Sequence, residues 1–320
     1  MSKFDAFEHL HIQIDSDGSV TRLLQSPQVQ ATGEDGSAQM PIASKDIDLD
    51  PKKKTKIRIY RPTKLPSNDN SVARLPIILY FHGGGWIHNN ISDVVVDARC
   101  AQVTTDVPAI VVSVGYRLAP EHRLPAPYDD AIDAIKWVNQ QMLDDANGEK
   151  WLVEYADANR CYLFGCSNGG NIVFHTALKI LDMDSKPLTI AGLIMNQPMF
   201  GGNKRTKTEI KLAADELLPL PAIDAMWDLA LPKGTDRDHR YCNPMADGPH
   251  KAKIRSLGRC LVLGYGGDPM VDRQQSFVKM LVDCGVRVEA AFDDVGFHGI
   301  DLVDPRRASV AIHLVKDFIC

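Results

Sequence analysis

From Lys56 onward the apolar positions fall into two rhythms. Ile57 and Ile59 alternate with Arg58 and Tyr60, as in a half-buried strand, whereas Leu75-Pro76-Ile77-Ile78-Leu79-Tyr80-Phe81 is continuous, as in a strand buried on both faces. Further apolar strand candidates fall at Ala109 to Val114, Cys161 to Phe164, Ile190 to Met195, Cys260 to Leu263 and Val286 to Phe292. Between them the spacing turns helical: Ile132, Ile135, Trp137 and Val138; Ile172, Val173, Ala177 and Ile180; Phe277, Met280 and Leu281; and finally Val310, Leu314 and Phe318. Strand and helix in alternation predict a mostly parallel central sheet with helices on both faces, an α/β fold.

Two stretches depart from this rhythm. The first fifty residues are polar and irregular, apart from a short alternation over His9 to Ile14 before Asp17-Gly18, which predicts a small hairpin. The segment from Phe200 to Lys253 places Ile223, Met226, Trp227 and Leu229 at helical spacing between loops rich in glycine, proline and charge. We expect residues 1–320 to form one domain, with cap elements from about 1–50 and 200–253 over the carboxyl ends of the strands, where α/β sheets bind ligands.

Composition narrows the function classes. With 320 residues, 44% hydrophobic, the chain can bury a large core, and its formal net charge of −5 argues against a nucleic-acid partner. The basic run Lys52 to Lys56 reads as a solvated turn into a strand. Seven cysteines lie scattered with no CxxC pair, as expected of reduced thiols. The N-terminus lacks an apolar run of signal-peptide length and no segment reaches transmembrane length, so the expectation is a cytoplasmic or nucleocytoplasmic protein with no membrane partner. His88, His122, His175 and His239 have no paired ligand spacing, and no metal or cofactor is expected.

The chemistry is carried by glycine-framed motifs. Gly165-Cys166-Ser167-Asn168-Gly169 places G-x-S-x-G between a strand and a helix, the context of a sharp turn that exposes a nucleophilic serine. The same frame excludes Cys166, whose flanking positions would be Phe164 and Asn168, and leaves it as a buried thiol beneath the turn. By average composition a bare G-x-S-x-G arises by chance about 0.1 times in a chain this long, and H-G-G-G about 0.002 times. His82-Gly83-Gly84-Gly85 after the buried strand is therefore the more specific signal. Its glycine amides, with that of Asn168, can point into a cavity and hold an oxyanion.

A serine hydroxyl needs a neutral histidine as base and an acid to orient that histidine. Asp268 follows the late strand Leu261 to Leu263, and we favour it over Asp272, whose place in a helix start is ordinary dipole complementation. His298, between Gly296 and Gly299, follows the next strand; His313 falls on the apolar pattern of the last helix. Asp293 and Asp294 read as solvated turn residues.

Together these segments, with Tyr116-Arg117-Leu118-Ala119-Pro120-Glu121-His122-Arg123-Leu124-Pro125-Ala126, Arg237-Asp238-His239, Cys242-Asn243-Pro244 and Gly267-Asp268-Pro269-Met270-Val271-Asp272, resemble the plant carboxylesterase family, in the hormone-sensitive-lipase-like branch of the α/β-hydrolases. The resemblance implies the α/β-hydrolase fold, a Ser167/Asp268/His298 triad, an oxyanion hole from Gly83, Gly84, Gly85 and Asn168, and a mobile cap. The apolar insertion with Met226 and Trp227 suggests a small or medium hydrophobic ester as substrate, such as an acetylated plant metabolite. The family also holds gibberellin receptors, from which this chain departs by having His298, and lyases or cyclases of specialised metabolism, from whose dehydratase type Ser167 in place of a threonine is a departure. Cys166 stands where an acid is frequent, and Asn168 where Ala or Ser is frequent, so the Asn168 side chain is expected to narrow or polarise the pocket floor.

Overall fold

Alternate side chains of each central strand feed two separate cores, and this decides where the helices go. The computed structural model describes residues 4–320 except 35, 37–40, 66, 69, 70, 73, 184 and 185, with only the backbone at 67, 68, 71 and 72. Eight strands form the main sheet: β1 (Ile42–Asp50), β2 (Thr55–Pro62), β3 (Leu75–Phe81), β4 (Ile110–Gly115), β5 (Ala156–Cys166), β6 (Ile190–Asn196), β7 (Cys260–Tyr265) and β8 (Val288–Asp293). Their spatial order is β1-β2-β4-β3-β5-β6-β7-β8. β1 and β2 are antiparallel to their neighbours and the other pairings are parallel. Ile77, Leu79, Phe81, Leu163 and Val262 point into one core, closed by α2 (Ala126–Leu143), α3 (Asn168–Ile180) and α5 (Val271–Asp283). Ile78, Tyr80, Phe164 and Leu261 point into the other, closed by α1 (Val94–Asp106) and α6 (Pro305–Ile319).

The cap is smaller at its N-terminal end than expected. Residues Ile42–Asp50 are not cap but the outer strand of the sheet, paired with β2. Ahead of them lie a short helix Ala6–His9 and the hairpin Ile12–Ile14/Val20–Arg22, with His9 and Leu10 preceding the hairpin rather than joining it. Part of the expected 1–50 segment lies outside the described residues. Arg22 ties this hairpin to the carbonyls of Ile87 and Ala119, at 2.6 and 2.9 Å, and to Glu121. Within the 200–253 insertion, α4 (Leu220–Ala230) buries Trp227 against Trp86, with ring centroids 4.5 Å apart. A buried Arg273–Glu209 pair at 2.9 Å anchors the insertion to α5.

Asp293 is solvated as expected, with its side chain 41% exposed, but it belongs to a strand rather than a turn. It ends β8 and forms an ion pair with Arg307 of α6.

Candidate active site

Each candidate residue sits just past the carboxyl end of a parallel strand: His82 to Gly85 after β3, Ser167 after β5, Asp268 after β7 and His298 after β8. The chain steps outward from β3 to opposite sides of the sheet, and the crevice this leaves is where open α/β sheets bind ligands.

The turn at Ser167 is tight enough to dictate its neighbours. Ser167 has φ 55° and ψ −123°, and it caps α3 directly after β5. A Cβ on Gly165 would lie 2.1 Å from the Gly169 carbonyl oxygen, and one on Gly169 would lie 2.1 Å from that of Phe81. Neither contact has a flexible side chain to yield. Gly165→Ala is therefore expected to destabilise the fold by about 3 kcal/mol, the upper part of the usual range for overpacking, measurable as a lowered denaturant midpoint at unchanged slope.

The turn brings three distant residues into line. His298 Nε2 lies 2.9 Å from Ser167 Oγ, and His298 Nδ1 lies 2.7 Å from Asp268 Oδ2. Asp268 is wholly buried and accepts further bonds from the Met270 amide, Gln197 Nε2 and Gln274 Nε2 at 2.9, 3.0 and 2.8 Å. Burial alone would raise its pKa, but the charge and hydrogen bond of His298 and these donors outweigh it, so the carboxyl is held below its ordinary range. For His298, burial disfavours the imidazolium; the charge and hydrogen bond of Asp268, with the charges of Asp301 and Asp215, outweigh it and raise its pKa above the ordinary value. Asp272 is elsewhere: it accepts from the Thr208 amide at 2.9 Å.

Gln197 and Gln274 have no counterpart in the sequence analysis. Gln197 acts as a clamp, donating to Asp268 and to the Phe297 carbonyl while its Oε1 accepts from the Gly299 amide at 2.9 Å. It thereby fixes the acid and the histidine loop relative to each other. Its only sequence signal is its place immediately after β6.

The glycine loop also differs from expectation in one amide. Gly85 N–H donates to Asn168 Oδ1 at 2.9 Å, so it is already engaged. The amides of Gly83, Gly84 and Asn168 find no acceptor among the described residues. Cys166 is buried, with the Tyr80 hydroxyl 3.5 Å from its sulfur, and burial pushes its thiol pKa up, away from the reactive thiolate.

These groups line a cavity of about 370 Å³ whose walls include Met199, Leu217, Leu218, Met226 and Phe297. The lining also includes Asp301, whose buried ion pair with Arg99 at 2.5 Å ties α1 to the segment after His298. The lining is thus mainly apolar, with Ser167, His298 and the glycines 83 to 85 among the polar groups that border it.

Known proteins agree with this reading of fold and family. A family profile described as "alpha/beta hydrolase fold" matches residues 78–302. "Probable carboxylesterase 9" of Arabidopsis thaliana is 54% identical over 316 residues, covering 99% of this chain and 97% of that protein. "3-O-acetylpapaveroxine carboxylesterase CXE2" of Papaver somniferum is 46% identical over 283 residues, 86% of this chain and 90% of that one. Among solved structures, an esterase of Pyrobaculum calidifontis, 26% identical, superposes with a TM-score of 0.71 over 88% of this chain and 86% of its own. The chain belongs to the alpha/beta hydrolase fold family, among its plant carboxylesterases.

Proposed function

We propose that the protein hydrolyses small to medium hydrophobic carboxylic esters through an acyl-enzyme on Ser167. The observation that carries this reading is His298, whose two ring nitrogens meet Ser167 Oγ and Asp268 Oδ2 at 2.9 and 2.7 Å. With Asp268 ionised, Nδ1 carries the proton and donates to it, so Nε2 is free to take the serine proton. As Oγ attacks the ester carbonyl carbon, that proton passes to Nε2 and the carbonyl oxygen takes up negative charge. The amides of Gly83, Gly84 and Asn168 hold that oxygen. His298 then returns the proton to the departing alcohol, and repeats both transfers with water to release the acid and restore Ser167.

The apolar walls and the cavity volume favour a hydrophobic ester of modest size. A relative is named for 3-O-acetylpapaveroxine, which puts acetyl esters first among the substrates to try. All seven cysteines are unpaired, which suits a reducing compartment such as the cytoplasm or nucleus. Among the described residues no helix is long and apolar enough to cross a membrane.

A panel of p-nitrophenyl esters of increasing acyl length tests the reading. We expect turnover to be greatest with short acyl groups; no turnover across the panel and no labelling of Ser167 by a fluorophosphonate would refute it. The pH profile follows from the site. Catalysis needs neutral His298, and Asp268 holds its pKa above the ordinary value near ~6.5. So kcat/KM is expected to rise from acid pH with a midpoint above about 6.5. A profile flat between pH 5 and 8 is inconsistent with His298 as base.

A further inference from the structure

Three consecutive glycines have no conformation of their own, so the amides that would hold an oxyanion must be fixed by something outside the loop. Gly84 and Gly85 lie in the left-handed region at φ 115° and 62°. Packing limits them: a Cβ on Gly84 would meet the His88 carbonyl oxygen at 2.5 Å, and one on Gly85 would meet Met226 Sδ at 2.3 Å. Packing alone does not choose which way each amide points. A peptide plane between two glycines can turn with little change in the path of the chain.

The hydrogen bonds make that choice: the Gly84 carbonyl accepts from the Ile87 and His88 amides at 3.1 and 3.0 Å, Asn89 Nδ2 donates to the Gly83 carbonyl at 3.2 Å, and a buried circuit centred on Asn168 supplies the rest. Its Oδ1 accepts from the Gly85 amide at 2.9 Å, and its Nδ2 donates to the Tyr116 hydroxyl at 3.0 Å. Tyr116 Oη donates to the His82 carbonyl at 2.8 Å, and its ring stacks on that of His82 with centroids 4.3 Å apart. His82 Nδ1 lies 2.7 Å from the Gly83 carbonyl oxygen and 3.1 Å from Tyr116 Oη. Burial lowers the His82 pKa to about 4, so its ring is neutral at working pH and donates through Nδ1. The circuit thus holds both ends of the glycine loop. Asn168 is wholly buried and Tyr116 nearly so, and such enclosure strengthens each bond in the chain.

We propose that the Asn168 side chain is the positioning residue of the oxyanion site: it takes the Gly85 amide as its own donor and, through Tyr116 and His82, locks the loop with the Gly83, Gly84 and Asn168 amides left for the oxyanion. The inference rests on the ester-hydrolase reading. One residue then has two separate duties, its backbone N–H meeting the oxyanion and its side chain orienting the other donors. An Ala or Ser at this position lacks the reach to span from the helix start to both Gly85 and Tyr116. Without Asn168 Oδ1 the Gly85 amide is buried and unpaired, a penalty that favours other loop conformations against the bonds from Ile87 and His88 that hold the Gly84 carbonyl.

The test compares Asn168→Ala, Asn168→Ser, Tyr116→Phe and Asn168→Ala/Tyr116→Phe in the full chain, with a p-nitrophenyl ester and with active sites counted by fluorophosphonate titration. Tyr116 does not line the cavity, so its variant alters the circuit without touching substrate. For Asn168→Ala we expect kcat per titrated site to fall ~10–100-fold with KM nearly unchanged, the mark of an interaction made only in the transition state. Affinity for a trifluoromethyl ketone, which mimics the tetrahedral intermediate, should fall in step while that for the product alcohol holds. The double variant should lose no more than Asn168→Ala, since both substitutions break one circuit. Wild-type kcat or better in Asn168→Ala, from a freed Gly85 donor, would overturn the proposal, as would losses that multiply in the double variant. If Asn168→Ala yields no titratable sites, Asn168→Ser and Tyr116→Phe decide alone, and undiminished kcat in both overturns it. A wild-type protein that neither turns over nor titrates defeats the ester-hydrolase reading instead.

Discussion

Ser167→Ala is expected to lower kcat by about 10⁶ while leaving the fold intact, the scale seen when a serine nucleophile is removed from a triad. The size follows from the role proposed for the residue. Without Oγ there is no covalent intermediate, His298 has no proton to take, and only the oxyanion amides and substrate binding persist, worth about 10³–10⁴ over water. The stability should barely change. Alanine carries the same Cβ at the left-handed φ of 55°, and the hydroxyl makes one side-chain hydrogen bond, to a histidine with access to the cavity. A melting curve within about 1 kcal/mol of wild type is expected, beside turnover at background level. The rival thiol one residue away cannot substitute, because burial raises the Cys166 pKa and its sulfur faces Tyr80 and Asn196. Retained turnover in Ser167→Ala would place the chemistry outside the triad altogether.

What could be read from the sequence was whatever local geometry forces on residue type. The elbow demands Gly165 and Gly169 because a Cβ at either would strike backbone, so the motif is visible in any chain that makes this turn. The central strands show as continuous apolar runs because both faces are covered. β1 was overlooked although Ile47 and Leu49 alternate with Asp46, Asp48 and Asp50 as in a half-buried strand, because the polar stretch ahead of it hides the pattern. Helix α1 opens with Val94-Val95-Val96, a strand-like run that tertiary packing overrides, and it had no counterpart among the expected elements. Long-range polar partners were equally silent. Gln197 and Gln274 are ordinary residues until β6 and α5 bring them to Asp268, and Asn168 gave no sign that its side chain would claim an amide 83 positions away. The expectation that Asn168 would narrow or polarise the pocket floor put its side chain in the wrong place: it faces Gly85 and Tyr116.

The surroundings of Asp268 predict that removing its side chain and merely neutralising it will differ sharply. In Asp268→Ala the Gln197 and Gln274 amides and His298 Nδ1 lose their common acceptor, the imidazole loses its orientation, and kcat should drop by about 10⁴. In Asp268→Asn the new amide must choose an orientation. Three donors converge on Oδ2 and one, the Met270 amide, on Oδ1. Placing the NH₂ toward Met270 opposes one donor rather than three, so the carbonyl oxygen stays on His298 and the imidazole keeps its proton on Nδ1. The tautomer is therefore preserved. What is lost is the negative charge that stabilises the imidazolium, and the expected fall in kcat is smaller, about 10²–10³. The pH profile separates this account from simple misfolding. Asp268 supplies the leading influences that raise the His298 pKa, while the burial opposing them remains. With the carboxylate gone, only the weaker charges of Asp301 and Asp215 oppose that burial, and the midpoint of kcat/KM should move down from its wild-type position, leaving a larger share of the residual activity at acid pH. An unmoved midpoint in Asp268→Asn would show that Asp268 does not set the basicity of His298, and a loss equal to that of Asp268→Ala would show that the glutamine pair does not hold the tautomer.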